Sequence, residues 1–302
     1  MSLQVYLNGH FVPEQEAKVS ILDHGLLYGD GIFEGIRAYH GRVFKLNEHL
    51  IRLYESAKTI GLNIGVDISE MQEIVLETLR RNNFQDAYVR LVVTRGKGDL
   101  GLDPNNCPKA AIFCITDKLA LFPESLYHNG MEIKTVATRR NNVDSLNPRI
   151  KSLNYLNNIL ARMEANLAGA AEAVMLNQEG YVCEGTGDNI FIVKRGVLLT
   201  PPIYVGILEG ITRNTVLELA ETAGIPTKQE LFTRHDLYNA DEVFLTGTAA
   251  ELIPVIKVDG RVIGKGAPGT LFNRLLPLFR DLTKVDGPQI YPQTQNLQEV
   301  SA

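Results

Sequence analysis

Lys151–Ala165 reads KSLNYLNNILARMEA, and Cys183–Phe191, further along the chain, reads CEGTGDNIF. In the first stretch and just past its end Leu153, Leu156, Leu160, Met163 and Leu167 recur at helical spacing, which predicts a helix opening at Lys151 with that stripe as its apolar face. At about 100° per residue, Lys151 and Tyr155 project well away from the stripe, and being four apart they share a face. A cation at a helix start mildly opposes the helix dipole. In the second stretch Glu184 follows Val182 and Cys183 on a predicted strand and precedes Gly185 and Gly187. Two glycines there suit a bulge or a close approach of backbone to a ligand.

The segments around these two stretches set the fold class. MEIKTVAT precedes the helix as a strand, and AVMLN, YVCEGT, NIFIVK and VLLTP follow it as strands. TRNTVLELAETAG is a helix ended by Gly224, DEVFLTG a strand, and KVDGRVIG a hairpin turning at Asp259-Gly260. TLFNRLLPLFRDL is a helix that Pro277 should interrupt. Toward the N-terminus, VYLNGHFV is a hairpin with a type I′ turn at Asn8-Gly9, and FEGIRAY with RVFKL is a second one turning at His40-Gly41. Asn47 is positioned to cap a helix with the stripe Leu50, Leu53, Tyr54 and Ala57. Ser69 and Gln72 form a capping box before MQEIVLETLRR. AYVRLVVTR and KAAIFCIT are strands. Runs of hairpins and helices in each half indicate an α+β chain. The expected division is a small N-terminal domain over 1–118, a linker over 119–130 broken by Pro123 and Gly130, a larger domain over 131–284, and a loose polar tail over 285–302.

The 302 residues are 45% hydrophobic and 22% charged, as in a globular protein with real cores. A net charge of −5 provides no basic field for a nucleic-acid backbone. Cys107, Cys114 and Cys183 form no CxxC pair, and an odd count without a signal peptide points to a reducing, cytoplasmic setting. GVLLTPPIYVGIL carries Pro201 and Pro202 and is a poor membrane helix. The six histidines are scattered, with no HExxH, so no metal site is expected. GKGDLG formally matches GxGxxG but runs into LDPNNCP, which cannot open a helix, so a dinucleotide site is not expected.

A lysine that a fold can bury, with a carboxylate returning on a nearby strand, suits an aldehyde cofactor. The amine forms an imine with the aldehyde, and the acid keeps a ring nitrogen protonated so that the ring accepts electrons. Spacing alone leaves the plainer readings open: a solvated Lys151 at a helix start and an edge-strand Glu184 beside a bulge. Gly210-Ile211-Thr212 leads straight into a helix whose first amides could hold a phosphate; Thr212 could equally be a plain N-cap. Gly247-Thr248-Ala249-Ala250 offers a second turn with free amides. Arg52 lies opposite its helix stripe, where it would be solvated or reach a phosphate. Tyr88 and Arg90 alternate with Val89 and Leu91 and face one side together; a mid-strand arginine there wants a carboxylate, from a substrate or from the chain itself.

Taken together, DHGLLYGDGIFEGIRAY, HLIRLYESAK, AYVRLVVTRG, KSLNYLNN, EGTGDNIF, GITR and GTAAE, in that order, resemble the class IV (fold type IV) pyridoxal-phosphate aminotransferases, and within them the branched-chain amino acid aminotransferases. The resemblance spans the chain from VYLNG to about Leu282. It implies a two-domain fold with a β-barrel-like core in the larger domain and pyridoxal 5′-phosphate at the domain interface. Lys151 would be the Schiff-base lysine and proton shuttle, Glu184 would hold the pyridine nitrogen, and Tyr155 the phenolic oxygen. Arg52, Ile211, Thr212 and Thr248 would bind the phosphate, with Asn189 also at the cofactor. Thr248 and Ala249 would receive the substrate α-carboxylate near Tyr88, and Arg90 the distal carboxylate of glutamate. Phe33, Gly35, Arg37 and Gly187 would line the pocket, and Tyr28 would reach in from a neighbouring subunit of a homodimer or larger homo-oligomer.

The activity so implied is transamination of leucine, isoleucine and valine with 2-oxoglutarate, giving 2-oxo acids and L-glutamate, as in branched-chain amino acid biosynthesis. D-amino acid aminotransferases, (R)-amine transaminases and aminodeoxychorismate lyases of the same family remain alternatives. Outside enzymes, a phosphate- or nucleotide-binding protein built on GITR and GTAA is the competing reading.

Overall fold

The computed structural model describes residues 2–118 and 123–292. Asn8 and Gly9 both take positive φ, 51° and 99°. Two such residues reverse the chain with the twist that strands need, so β1 (Gln4–Leu7) pairs antiparallel with β2 (His10–Pro13). His40 and Gly41, at 50° and 78°, do the same between β3 (Gly31–Tyr39) and β4 (Arg42–Val43). With β5 (Ala87–Thr94) and β6 (Ala111–Asp117) they form a six-stranded antiparallel sheet in the order β2-β1-β6-β5-β3-β4. Helices α2 (Leu46–Thr59) and α3 (Ile68–Arg81) cover one face, burying Leu46, Leu50, Leu53, Met71 and Leu79 against Ile32, Ile36, Val89 and Leu91. Strand periodicity leaves Phe33, Gly35, Arg37, Tyr88 and Arg90 on the opposite face.

Both expected caps in this half are displaced. Helix α2 starts at Leu46 after a left-handed Lys45, so Asn47 lies inside its first turn. Helix α3 is capped by Asp67, which accepts from the Glu70 amide at 2.8 Å and from Ser69 Oγ at 2.6 Å, in place of a Ser69–Gln72 box. Between β2 and β3 runs the short α1 (His24–Tyr28).

The second sheet has nine strands: β7 (Met131–Thr135), β8 (Glu172–Leu176), β9 (Val182–Gly185), β10 (Asn189–Lys194), β11 (Val197–Thr200), β12 (Thr227–Gln229), β13 (Glu242–Gly247), β14 (Glu251–Val258) and β15 (Arg261–Val262). Their order is β12-β11-β10-β13-β14-β7-β8-β9, with β15 beside β14. Strand β9 is an edge, yet only Thr186–Asp188 separate it from β10, which lies five strand spacings away along the sheet. Four Cα steps reach about 15 Å, whereas five flat spacings need roughly 24 Å. The sheet therefore curls until β9 returns beside β10, and a Gly185 amide bond to the Asp188 carbonyl at 2.7 Å closes the turn. Phe191, Phe244, Phe272 and Phe279 fill the core between this curled sheet and α6 (Ile211–Thr222) and α8 (Thr270–Thr283). Helix α8 runs unbroken through Pro277, which was expected to interrupt it. Within the expected linker, residues 119–122 lie outside the described residues, and α4 (Glu124–Asn129) docks through the Tyr127 hydroxyl, which donates to the Ala250 carbonyl at 2.9 Å.

Helix α5 (Leu156–Leu167) departs most from expectation. It opens five residues after Lys151. Residues 150–155 instead run alongside β3: the Phe33 amide donates to the Lys151 carbonyl and the Leu153 amide to the Gly31 carbonyl, each at 2.9 Å. The dipole argument about Lys151 therefore lapses. The stripe also faces the other way. Asn158, Ala161 and Ala165 are the buried residues of α5, while Leu156, Ile159, Leu160, Met163 and Leu167 are 45–89% exposed. The tail expected to be loose from residue 285 is docked through its first part: Ile290 is fully buried, its amide donates to the Gly41 carbonyl, and its own carbonyl accepts from Arg80. Residues 293–302 lie outside the described residues. Among the described residues no helix is long and apolar enough to cross a membrane.

Candidate active site

The turn that curls the second sheet also aims Glu184. It is the third residue of β9, buried, and it accepts three hydrogen bonds. Arg140 Nε donates to Oε1 at 2.8 Å; Asn189 Nδ2 and the Leu208 amide donate to Oε2 at 3.1 and 3.0 Å. A carboxylate has about four lone-pair sites, so one remains for another donor. Burial pushes the Glu184 carboxyl up, against the pull of Arg140, the Leu208 amide and Lys151.

Lys151 is held by its backbone between two elements. Its carbonyl is bonded to β3 and its amide donates to Ser56 Oγ of α2 at 3.3 Å. The Nζ donates to the Tyr155 hydroxyl at 3.3 Å and sits 4.7 Å from the Phe33 ring centroid. Arg90 is over the same ring at 4.5 Å, and the Phe33 and Tyr155 rings meet edge to face at 5.0 Å. Phe33 is thus the ring that both Lys151 and Arg90 approach. Arg90 donates to the Tyr88 hydroxyl at 3.1 Å and pairs with no Asp or Glu among the described residues. Gly35 stands across from Arg90 on β3, where a Cβ would run into the Tyr88 hydroxyl.

Arg52 is buried, not solvated. It forks onto Glu34 with Nε and Nη2, both at 2.8 Å, and Nη1 donates to the Glu209 carbonyl at 2.7 Å. His49 Nδ1 donates to the same Glu34 carboxylate at 2.8 Å. Burial works against the Glu34 charge, but Arg52 and His49 together hold its carboxyl far below the usual range. Burial outweighs Glu34 at His49 and pushes that imidazole down, so it stays neutral near pH 7 and the cluster keeps one matched pair of charges.

The Arg52 bond to Glu209 brings the α6 N-terminus into the site. Gly210 caps α6 with no side chain, leaving the first amides of the helix facing outward. Gly210, not Thr212, is the cap; Thr212 is buried in the first turn. Asn189 Nδ2 also donates to the Leu208 carbonyl at 2.9 Å, so the 208–210 segment is clamped between Arg52 and the Glu184 group. A cavity of about 610 Å³ opens between this segment and α2, lined by Arg52, Glu55, Arg149, Glu209, Ile211 and Asn214; Lys151, Tyr155 and Glu184 do not line it.

On the far side, Thr248 and Ala249 form the turn between β13 and β14, and neither amide has an acceptor among the described residues. Arg37 bonds this turn. It pairs with Glu251 at 3.0 Å and reaches the Ala249 carbonyl at 3.5 Å, so its charge is already committed inside the chain. Gly187 is exposed at the β9–β10 turn, and a Cβ on Gly247 would strike the Asp188 carboxylate. Burial first, then the Glu172 carboxylate, push Asp188 up to about 7. Tyr28 stands apart from Lys151. It is half-exposed at the end of α1, packs edge to face on His24, and its hydroxyl accepts from the Gly101 amide at 3.2 Å.

Sequence reasoning missed Glu34, His49, Arg140 and Asp188. Glu34 could have been found: it alternates with Ile32, Ile36 and Ala38 on the apolar side of β3, where an acid needs a partner.

A protein of Methanocaldococcus jannaschii, named provisionally as a branched-chain-amino-acid aminotransferase, is 55% identical over 96% of this chain and 100% of its own length. A D-alanine aminotransferase of Bacillus licheniformis is 39% identical over 89% and 93% of the two chains. Among solved structures, a T.th. branched-chain amino acid aminotransferase complexed with N-(5′-phosphopyridoxyl)-L-glutamate superposes with a TM-score of 0.89 at 38% identity, covering 94% of this chain and 95% of that one. The model of the amino-transferase class IV family matches residues 31–258, the stretch that carries every side chain of this site except Tyr28, and the chain belongs to that family.

Proposed function

We propose that this chain is a pyridoxal 5′-phosphate-dependent branched-chain amino acid aminotransferase, moving the amino group of L-leucine, L-isoleucine or L-valine to 2-oxoglutarate. The observation that carries the reading is the polar set around Lys151: a primary amine, a neighbouring phenol, a buried carboxylate with one free lone pair, and a helix start with free first amides beside an arginine. Each group matches one polar feature of the cofactor: aldehyde, phenolic oxygen, ring nitrogen and phosphate. When bound, pyridoxal phosphate supplies an electron sink for the electrons left on the substrate α-carbon.

The chain's own residues do the rest. Lys151 Nζ tethers the cofactor between turnovers and, once free, takes the proton from the substrate α-carbon. Tyr155, bonded to that nitrogen, fixes its direction. Glu184 holds the proton of the ring nitrogen, with Asn189 beside it. Arg52, Ile211, Thr212 and Thr248 hold the phosphate, and the Thr248 and Ala249 amides take the substrate α-carboxylate. Phe33, Gly35, Tyr88 and Gly187 line the side-chain pocket; Arg37 supports it through Glu251 and Ala249. Arg90, with no acid partner among the described residues, takes the distal carboxylate of glutamate and turns its aliphatic stem to leucine.

The two sheets are read as two domains, 1–118 and 131–284, with the site between them. The exposed stripe of α5 and the half-exposed Tyr28 support a homodimer or larger homo-oligomer in which Tyr28 reaches a neighbour's pocket. The three free thiols support a cytoplasmic setting.

A half-reaction panel tests the function. L-leucine and L-glutamate are expected to convert the bound cofactor to its amine form, with D-alanine and (R)-1-phenylethylamine far slower. The likeness to a D-alanine aminotransferase makes the reverse order the specific rival result. Lys151→Ala is expected to lose the visible absorbance of the lysine-bound cofactor and all turnover.

A further inference from the structure

We propose that Arg140 is a positioning residue for the transamination proposed above: its guanidinium keeps the buried Glu184 ionised and turned toward the ring nitrogen. Arg140 lies past the end of β7, 6% exposed, its amide bonded to the Leu176 carbonyl at 2.9 Å. Its side chain is fixed at two points. Nε meets Glu184 Oε1 at 2.8 Å and Nη1 meets Asn157 Oδ1 at 3.2 Å; Asn157 is itself held by the Arg139 carbonyl at 2.8 Å. The guanidinium thus cannot swing to another acid, and it occupies one carboxylate oxygen while the Leu208 amide and Asn189 occupy the other.

Burial favours a neutral Glu184, and Arg140 is the strongest influence opposing it. The other charged or titratable groups around the carboxylate are Lys151 before α5, Asp188 in the β9–β10 turn, Arg213 on α6 and Cys183 on β9 itself. Asp188 works against ionisation, Arg213 is spent on Pro201, Asn214 and Gln229, and Lys151 is committed to the aldehyde chemistry. Without Arg140 the Glu184 carboxyl rises further. Below its new midpoint Glu184 carries its own proton and no longer favours a proton on the ring nitrogen. A neutral Glu184 offers no negative charge to balance a protonated ring nitrogen, and turnover falls.

The test reads Glu184 directly, without cofactor. Infrared difference spectra of the apo protein, Arg140→Met against Arg140→Met/Glu184→Gln, are recorded across about pH 6 to 9. The expected result is a protonated-carboxyl band near neutrality that the same comparison in the Arg140 background lacks. With cofactor loaded, kcat of Arg140→Met should fall while KM for leucine stays within about threefold, and Arg140→Lys should move both readings back toward wild type. An unchanged Glu184 band, or Lys and Met behaving alike, overturns the proposal. Should Arg140→Met not fold, Arg140→Gln, neutral but polar, carries the test: the protonated-carboxyl band is expected there, and its absence overturns the proposal. If the wild-type protein binds pyridoxal phosphate but does not transaminate, the function proposed above fails, while the apo spectra still decide the role of Arg140.

Discussion

Arg52 can lie buried beside an anion site because Glu34 and His49 meet it there. Breaking a buried pair by removing one charge costs about 3–5 kcal/mol, so Glu34→Gln should destabilise the protein by that order and loosen the cofactor phosphate. The Glu34 carboxyl is held below its ordinary value of 4.5, so its stabilisation is fully present above that pH and fades as pH falls through the depressed folded value. Urea melts of wild type and variant should therefore differ by a constant amount above about pH 5 and converge in acid. Arg90 makes a different prediction. With Tyr88 and Phe33 as its partners among the described residues, Arg90→Ala should lower kcat/KM for glutamate and 2-oxoglutarate by roughly a hundredfold, the scale of a lost charge-assisted contact, and for leucine by much less. Equal losses would remove Arg90 from substrate recognition. Single residues with one obvious need, such as Arg90 in an apolar strand, were legible in the chain. The pairings of Arg52 and Arg140 were not, because their partners, Glu34 and Glu184, lie 18 and 44 residues away, a distance that periodicity does not bridge.

The elements follow from local chemistry wherever a turn fixes them. Asn8-Gly9, His40-Gly41 and Asp259-Gly260 each set the register of the two strands they join. Local chemistry fails where tertiary bonds compete: residues 150–155 have helical spacing, yet bond to β3, and this delays α5 to Leu156. The same competition sets the α6 end of the site. Gly210 has an ordinary φ of −72°, so alanine there carries no backbone strain; its Cβ would instead press on Asn189 and come within 3.2 Å of Arg213 Cβ. Gly210→Ala should thus cost about 1–3 kcal/mol of stability by overpacking and push Asn189 off Glu184. Thermal melts with and without cofactor check this. A larger loss in the loaded protein is expected, since the cofactor's ring and phosphate contacts share that clamp; an equal loss in both would confine the damage to packing.

The described residues leave three exposed apolar segments that their own fold does not cover. The α5 stripe faces outward because Asn158, Ala161 and Ala165, small or polar, are what fits against the curled sheet. Asn154, just before α5, donates to the Gly29 carbonyl at 2.9 Å, which brings the exposed Leu26, Leu27 and Tyr28 of α1 beside the stripe. The Tyr28 bond to Gly101 adds exposed Leu100 and Leu102. A helical stripe in the sequence shows which residues share a face but not whether that face meets its own sheet or another chain, so the stripe was legible and its direction was not. A standard interface buries about 800 Å² on each partner, and the exposed apolar residues of these three segments are the ones a second copy would cover. If a second copy covers this surface, Leu160→Glu/Met163→Glu puts two carboxylates where burial would leave them unpaired. Sedimentation should then show a shift to monomer at micromolar concentration, with far-ultraviolet circular dichroism unchanged. Activity should fall with it, because the Tyr28 proposed to complete each pocket would come from the lost partner. A double variant that sediments like the wild type would leave the stripe outside the assembly, and one that dissociates with full activity would place Tyr28 outside the pocket.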